Sequence, residues 1–214
     1  MKPLYPPGQR GLFIVFEGID GSGTTTVSRR VHERLGGDNL WTNEPSDSEY
    51  GNKARHLLQV PGTQPIQLAM LFALDRWHHL RHVILPALEA NRLVLCDRFL
   101  LSSLAYQQQD GIERGIVEKL SPAFRPDLTI FLRCRVEVAE QRRQGRGLAA
   151  DRFEVTDRQR QIAANYEQEV DLLRCSGDPV AVVDGEQELK EVVEQCYGAI
   201  VRAMCLPPKN RQQR

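Results

Sequence analysis

The segment from Leu12 to Thr26 constrains the fold more than any other part of the chain. An unbroken apolar run, Phe13 to Phe16, passes through Glu17 into Gly18-Ile19-Asp20-Gly21-Ser22-Gly23-Thr24-Thr25, and a helical pattern opens at Thr24 to Thr26. The loop matches the G-x-x-x-x-G-K-[ST] phosphate-binding pattern at every specified position except the lysine, where Thr24 stands. Gly18, Gly21 and Gly23 let successive backbone N–H groups converge on an anion, and the helix N-terminus adds its positive end. Ser22, Thr24, Thr25 and Thr26 supply hydroxyls at the phosphates, with Thr25 expected to reach Mg²⁺. A lysine at position 24 would put a point charge on the β and γ phosphates. Losing a charged hydrogen bond to a buried anion costs on the order of 1.5 to 3 kcal/mol, which slows a reaction by roughly ten- to a hundredfold if nothing compensates. Either an arginine supplies the charge, or turnover is slow.

Further apolar runs follow at roughly Asn39 to Asn43, Arg92 to Asp97, Asp127 to Leu132 and Pro179 to Asp184. With the first run, Leu12 to Glu17, they make five β-rich segments separated by helical patterns, which predicts an α/β fold with a five-stranded parallel sheet flanked by helices. The helices are expected at Thr24 to Leu35, Pro65 to Ala90, about Leu101 to Gln109, Val136 to Gln144, Glu154 to Arg174 and Glu186 to Met204. Val27, Val31 and Leu35 mark the buried stripe of the first, and Leu68, Leu71, Phe72, His79 and Val83 that of the second. No repeat or compositional break divides the chain, so residues 11–205 read as one domain. Residues 1–10, with three prolines, read as a disordered leader, and 206–214 as a flexible tail.

Charge and cysteine content exclude several classes. The chain has 28 basic and 28 acidic residues, so it lacks the positive field of a protein that grips duplex nucleic acid through phosphates. No segment has the roughly 18 apolar residues of a membrane helix. The expected partners are small molecules or other proteins. The five cysteines, at 96, 134, 175, 196 and 205, have no paired spacing. They predict reduced thiols and a cytoplasmic setting. The neutral total conceals regional contrast. Arg142, Arg143, Arg146 and Arg152 face only Asp151 in one short stretch, while residues 161–195 carry nine acids against Arg174 and Lys190.

Asp97-Arg98-Phe99 closes the third apolar run. A carboxylate at the end of a buried strand beside the loop is where a phosphate-loop enzyme holds Mg²⁺, and Arg98 can clamp a phosphate. Together with Glu17-Gly18-Ile19-Asp20-Gly21-Ser22-Gly23, Asn43-Glu44-Pro45, Leu71-Phe72-Ala73-Leu74-Asp75-Arg76, Ser102-Ser103-Leu104-Ala105-Tyr106-Gln107, Arg125-Pro126-Asp127-Leu128 and Asp151-Arg152-Phe153-Glu154, this set resembles the thymidylate kinase family, in order and at family spacing, from about residue 11 to 204.

The resemblance implies a P-loop NTPase fold with a mobile Arg-rich lid at about 142–153. It implies transfer of the γ-phosphoryl group of ATP to dTMP with Mg²⁺, and a homodimer. It places Thr25 and Asp97 at the metal and Asp97, Arg98, Arg146 and Arg142 in catalysis, the lid supplying the arginine that the loop lacks. At the acceptor it places Phe72 on the thymine ring and Arg76, one helical turn on, at the base. Ser103, Tyr106 and Gln107 line sugar and base, with Tyr106 crowding the 2′ position. Asp20 lies near the 3′ hydroxyl, Glu44 belongs to the acceptor site, and Arg55 and Arg98 grip the phosphate. Asn43 stands where the family usually has arginine, a second neutral residue at a basic position. Two other readings stay open: a kinase for another pyrimidine nucleoside monophosphate, and a nucleotide-binding protein with weak catalysis.

Overall fold

The structure is a computed structural model that describes residues 10–145 and 152–205, and the side chains of 152–156 fall outside that description. The five apolar runs form one sheet of parallel strands, β1 (Phe13–Glu17), β2 (Leu40–Asn43), β3 (Val94–Asp97), β4 (Leu128–Arg133) and β5 (Val180–Asp184), in the order β2-β3-β1-β4-β5. The two central neighbours of β1 run in register as Phe16 beside Asp97 and Phe16 beside Ile130. Asn43 of β2 lies beside Asp97 from the other side. Glu17, Asn43 and Asp97 therefore meet at one edge, the carboxyl ends of the strands, where open α/β sheets bind ligands. This is the architecture of the P-loop NTPases.

Burial explains why β1 reads as a continuous apolar run. Ile14 and Phe16 pack toward one face with Val27 and Val31 of α1 (Thr24–Leu35) and Val192, Cys196 and Ile200 of α9 (Leu189–Cys205). Phe13 and Val15 point to the other face, against Leu80, Ile84, Leu88 and Phe99. Both faces are covered, so neither set of side chains alternates with polar ones. The next residue in that alternation is Glu17, a carboxylate only 1% exposed. The Arg125-Pro126-Asp127-Leu128 motif locks the start of the same strand: Asp127 Oδ2 accepts from the Phe13 N–H at 2.8 Å, and the Asp127 N–H donates to the Phe13 carbonyl at 2.7 Å. Arg10, expected in the leader, pairs with Asp127.

Two helices escape the periodic pattern. The first, α2 (Glu49–Leu57), buries only Gly51 and Ala54 and starts where Ser48 Oγ accepts from the Gly51 N–H. The other, α6 (Arg114–Leu120), buries only Val117. Neither offers an apolar stripe, so nothing in their residues signals a helix.

The long pattern from Pro65 is α3 (Pro65–His79), a π-helical turn at Leu80–Ile84, and α4 (Leu85–Glu89). Pro86 has no N–H to give to the fourth carbonyl back, and its ring would strike that carbonyl. The turn before it widens, and the Leu85 N–H donates to the Leu80 carbonyl five residues earlier. The buried face of α3 also differs from expectation. It consists of Ala69, Ala73, Asp75, Arg76 and His79, whereas Leu68, Leu71 and Phe72 are only half-buried. Asp75 and His79 are buried against the chain around the end of β2, bonded to Ser46 and Ser48 and to Thr42 and Glu44, while Leu68 and Phe72 line a pocket and so stay half-buried. The remaining helices are α5 (Leu100–Gln109), α7 (Val136–Gln144) and α8 (Arg152–Cys175).

The expected leader and tail fall outside the described residues, apart from Arg10. So does the centre of the expected lid, including Arg146.

Candidate active site

The loop after β1 takes a shape that only glycine permits at two positions. Gly21 has φ +95°, and a Cβ there would lie 2.3 Å from the Ala139 carbonyl oxygen of α7. Gly23, the N-cap of α1, has φ +101°. Thr24 is buried, and no acidic residue occupies the first turn of α1, so the positive end of that helix is not neutralised locally. Thr25 Oγ1 donates to Asp97 Oδ2 across the β1–β3 boundary. Two buried acceptor oxygens at this point, Asp97 Oδ1 and Ser22 Oγ, have no hydrogen-bond partner among the described residues. An unsatisfied buried carboxylate oxygen next to a threonine hydroxyl fits Mg²⁺, a hard ion that takes one or two protein oxygens and completes its shell with water and phosphate. No cluster of three or more His, Cys, Asp or Glu side chains that could hold a metal converges among the described residues.

Arg98, next in sequence, has φ +71°, a left-handed conformation that costs a non-glycine residue on the order of 1 to 3 kcal/mol. The backbone is held there because the Arg98 N–H donates to the Phe16 carbonyl at 2.9 Å. The side chain turns back over the loop, donating to Asp20 Oδ1 at 2.7 Å and to Ser102 Oγ and Tyr166 Oη at 3.2 Å each. Beneath it lies Glu17. Its oxygens accept from the Phe99 N–H at 2.9 Å, Ser102 Oγ at 2.6 Å and Tyr166 Oη at 3.3 Å.

Burial pushes the Glu17 carboxyl up from 4.5 to about 6, against the opposing pull of the Ser102 hydroxyl, the Arg98 charge and the Phe99 N–H. The folded chain thus binds this proton more tightly than the unfolded one. The resulting stabilisation is complete below pH 4.5 and is lost as pH rises through 6, a change of about 2 kcal/mol. In urea unfolding, the stability of the wild type relative to Glu17→Gln is expected to fall by that amount between pH 4 and pH 7. A flat difference across the range would refute it.

Beside the loop opens a pocket of about 220 Å³ whose walls include Asp20, Glu44, Phe72, Arg76, Arg98, Ser103, Tyr106 and Gln107. Eight of the nine residues expected at the acceptor therefore share one cavity. Phe72 belongs to none of the three apolar core clusters, so its ring is a wall of the pocket and not core filling. Arg76 is 2% exposed and heavily engaged: Nε donates to Glu44 Oε2 at 2.9 Å, Nη1 to Ser121 Oγ, and Nη2 to Ser103 Oγ and the Phe99 carbonyl. Four of its five N–H donors are thus taken, which fixes the guanidinium plane and leaves one donor for a ligand. Glu44 is held from its other side by His79, itself bonded to Thr42 Oγ1. The Asp20 N–H donates to Tyr106 Oη at 3.1 Å, joining loop and pocket directly.

The family model described as Thymidylate kinase matches residues 16–196. The chain belongs to the thymidylate kinase family. A probable thymidylate kinase of Pyrococcus abyssi is 41% identical over 167 residues, covering 73% of this chain and 82% of the relative. The thymidylate kinase of Staphylococcus haemolyticus is 36% identical over 202 residues, covering 88% and 97%. That of Brachyspira hyodysenteriae is 29% identical over 205 residues, covering 92% and 97%.

One residue expected at the acceptor lies elsewhere. Arg55, the ninth acceptor residue, is not in the pocket wall. Its guanidinium donates to the Pro45 carbonyl at 2.5 Å, the Ser46 carbonyl at 2.8 Å, and the side chains of Asp47 and Asn52. It braces the turn that carries Pro45, and Asn43 Nδ2 braces the same carbonyl at 2.9 Å. Asn43 and Arg55 therefore both act on the turn that follows Glu44. Arg142 of α7, by contrast, reaches the phosphate loop: Nη1 donates to the Gly185 carbonyl at 2.9 Å and lies 3.5 Å from the Ser22 carbonyl. Arg146 lies outside the described residues.

The structure also adds residues in and around the pocket that the sequence reading does not single out. Asp110 and Arg158 wall the pocket and bond each other at 2.6 Å. Arg158 sits on a polar helix among many arginines, and nothing in its neighbourhood marks it. Glu17 carried a readable signal, a lone carboxylate ending a fully apolar strand. Asp75 organises the approach to the pocket, accepting from the Ser46 N–H at 2.7 Å and from Ser48 Oγ at 2.6 Å.

Proposed function

We propose that this protein transfers the γ-phosphoryl group of ATP to dTMP, giving dTDP and ADP. The observation that carries this reading is the junction of two sites through one residue: Arg98 walls the acceptor pocket and is bonded to Asp20 of the phosphate loop. A phosphate oxygen of dTMP attacks the γ-phosphorus as the bond to the β-phosphate bridging oxygen breaks. Such transfer is mostly positioning and charge neutralisation. Gly18, Gly21, Ser22, Gly23, Thr24, Thr25 and Thr26 cradle the ATP phosphates through backbone N–H groups and hydroxyls. Thr25 and Asp97 would hold Mg²⁺, which supplies positive charge to the phosphates when bound. Arg98 and Arg142 carry positive charge to the transferring group, and Arg146 joins them from the lid.

At the acceptor, Phe72 stacks on thymine, the remaining Arg76 donor meets the base, and Ser103 and Gln107 line it. Tyr106 excludes a 2′ hydroxyl, Asp20 accepts from the 3′ hydroxyl, and Glu44 holds Arg76 in place. Arg55 braces the turn of Pro45, which lines the pocket.

A coupled ATP assay over a panel of nucleoside monophosphates tests this reading. Turnover with dTMP well above dUMP, dCMP and UMP is expected; no turnover with millimolar dTMP overturns it. In the same assay Phe72→Ala is expected to raise KM for dTMP about ten- to a hundredfold with kcat little changed, the usual worth of stacking one base on an aromatic ring.

We further propose a homodimer, supported by α3. Ile66, Met70, Leu74 and Trp77 form an exposed apolar stripe along it, between 42% and 52% accessible, and an apolar stripe on one helix suits burial against a second copy. Sedimentation is expected to give a dimer for the wild type and a monomer for Met70→Glu. A cytoplasmic location is supported by the free thiols, with Cys96, Cys134 and Cys196 buried and Cys175 and Cys205 exposed. No helix among the described residues is long and apolar enough to cross a membrane.

A further inference from the structure

We propose that Glu17 and Tyr166 are a positioning pair that holds Arg98 in its phosphate-facing pose, an inference that rests on the reading of the site as a phosphoryl-transfer centre. Neither residue walls the acceptor pocket. Both are shut away from solvent, Glu17 at 1% and Tyr166 at 0% exposure. Each touches Arg98 or what Arg98 touches. Arg98 Nη1 donates to Tyr166 Oη and to Ser102 Oγ, both at 3.2 Å. Those two hydroxyls are 2.7 Å apart, and both lie against the same oxygen, Glu17 Oε2.

The proton inventory of this cluster determines its work. A hydroxyl has one hydrogen, and a guanidinium can only donate. Ser102 and Tyr166 can accept from Arg98 only if their own hydrogens point elsewhere. The carboxylate of Glu17 is the acceptor that draws them away, directly or through each other. Its other oxygen holds the Phe99 N–H, so one side chain sets both the start of α5 and the lone pairs offered to Arg98. The strained backbone at Arg98 needs such support, because φ +71° persists only where its surroundings hold it.

Tyr166 in turn is fixed by its ring, which stacks on Phe131 at 5.7 Å between centroids and meets Tyr106 edge-on at 6.2 Å. Asn165 Nδ2 donates to the Ala105 carbonyl at 2.9 Å, tying α8 to α5 beside it. The alternative, that the cluster only fills the space between α5 and α8, predicts a loss of stability without a selective kinetic effect.

The test varies dTMP at saturating ATP, and ATP at saturating dTMP, for Tyr166→Phe, Glu17→Gln and the double variant, with melting temperatures alongside. Tyr166→Phe is expected to lower kcat/KM for dTMP about tenfold, and Glu17→Gln about 10- to 100-fold, with KM for ATP within about twofold of wild type. The double variant should lose no more than the worse single one, since both act along one path. The inference is overturned if Tyr166→Phe keeps kcat/KM for dTMP within twofold, or if KM for ATP rises by as much as kcat/KM for dTMP falls. Tyr166→Phe decides the matter alone if Glu17→Gln does not fold. A wild type inactive on dTMP would count against the functional reading instead. The pose of Arg98 in crystals of Tyr166→Phe then decides: displacement supports the pair, and an unchanged pose overturns it.

Discussion

Asp97→Asn is expected to lower kcat about a thousandfold, with KM for dTMP nearly unchanged. Asp97 lies at the carboxyl end of β3 with one oxygen on Thr25 and the other buried without a partner among the described residues. Asparagine keeps the size and one acceptor oxygen but removes the charge, and its NH₂ would oppose the Thr25 hydroxyl or a cation. A metal-linked charge is worth several kcal/mol in transition-state stabilisation, and each 1.36 kcal/mol is tenfold in rate. The acceptor pocket is walled by other residues, so dTMP binding should survive. Steady-state kinetics with varied Mg²⁺ and dTMP check this. A variant with a tenth or more of wild-type kcat would remove Asp97 from the metal.

Arg142→Ala is expected to lower kcat about a hundredfold, and Thr24→Lys in that background to restore at least ten of it. Position 24 has a hydroxyl where most such loops place a cation, while Arg142 of α7 bonds the Gly185 carbonyl and lies against the Ser22 carbonyl. One loop thus has a missing charge and a neighbouring guanidinium. If Arg142 supplies what Thr24 does not, the two substitutions are coupled, and Thr24→Lys alone changes kcat by less than tenfold. A double-mutant cycle measures the coupling. A Thr24→Lys variant that gains a hundredfold on its own would instead mark the wild type as a slow enzyme with no substitute for the lysine.

The strands were legible because they are buried on both faces. Where helices cover both sides of a parallel sheet, apolar runs such as Phe13 to Phe16 announce themselves, and all five were found with their ends within two residues. α2 was not legible because it packs through Gly51 and Ala54, residues too small to make a pattern. The face of α3 was misread for a related reason. Leu68, Leu71 and Phe72 look like a core stripe, but the side chains buried deepest are Ala69, Ala73, Asp75, Arg76 and His79. Periodicity reports hydrophobicity: Leu68 and Phe72 line the pocket, while Asp75, Arg76 and His79 can be buried because hydrogen bonds satisfy them.

Composition and motif, without any coordinates, determined the α/β class, the phosphate loop, its missing lysine and the family. These depend on local backbone requirements, glycine where φ is positive and a hydroxyl at a helix start, that a linear string records faithfully. Tertiary structure alone decided which arginine does what. Arg76 is locked by Glu44, Ser103, Ser121 and the Phe99 carbonyl, Arg55 braces the Pro45 turn, Arg142 meets the loop, and Arg98 is aimed by Glu17 and Tyr166 through contacts spanning up to 149 positions in the chain. A guanidinium is the same group at every position. Its role follows from the acceptors that folding brings to it, and those come from distant strands and helices that sequence spacing does not order.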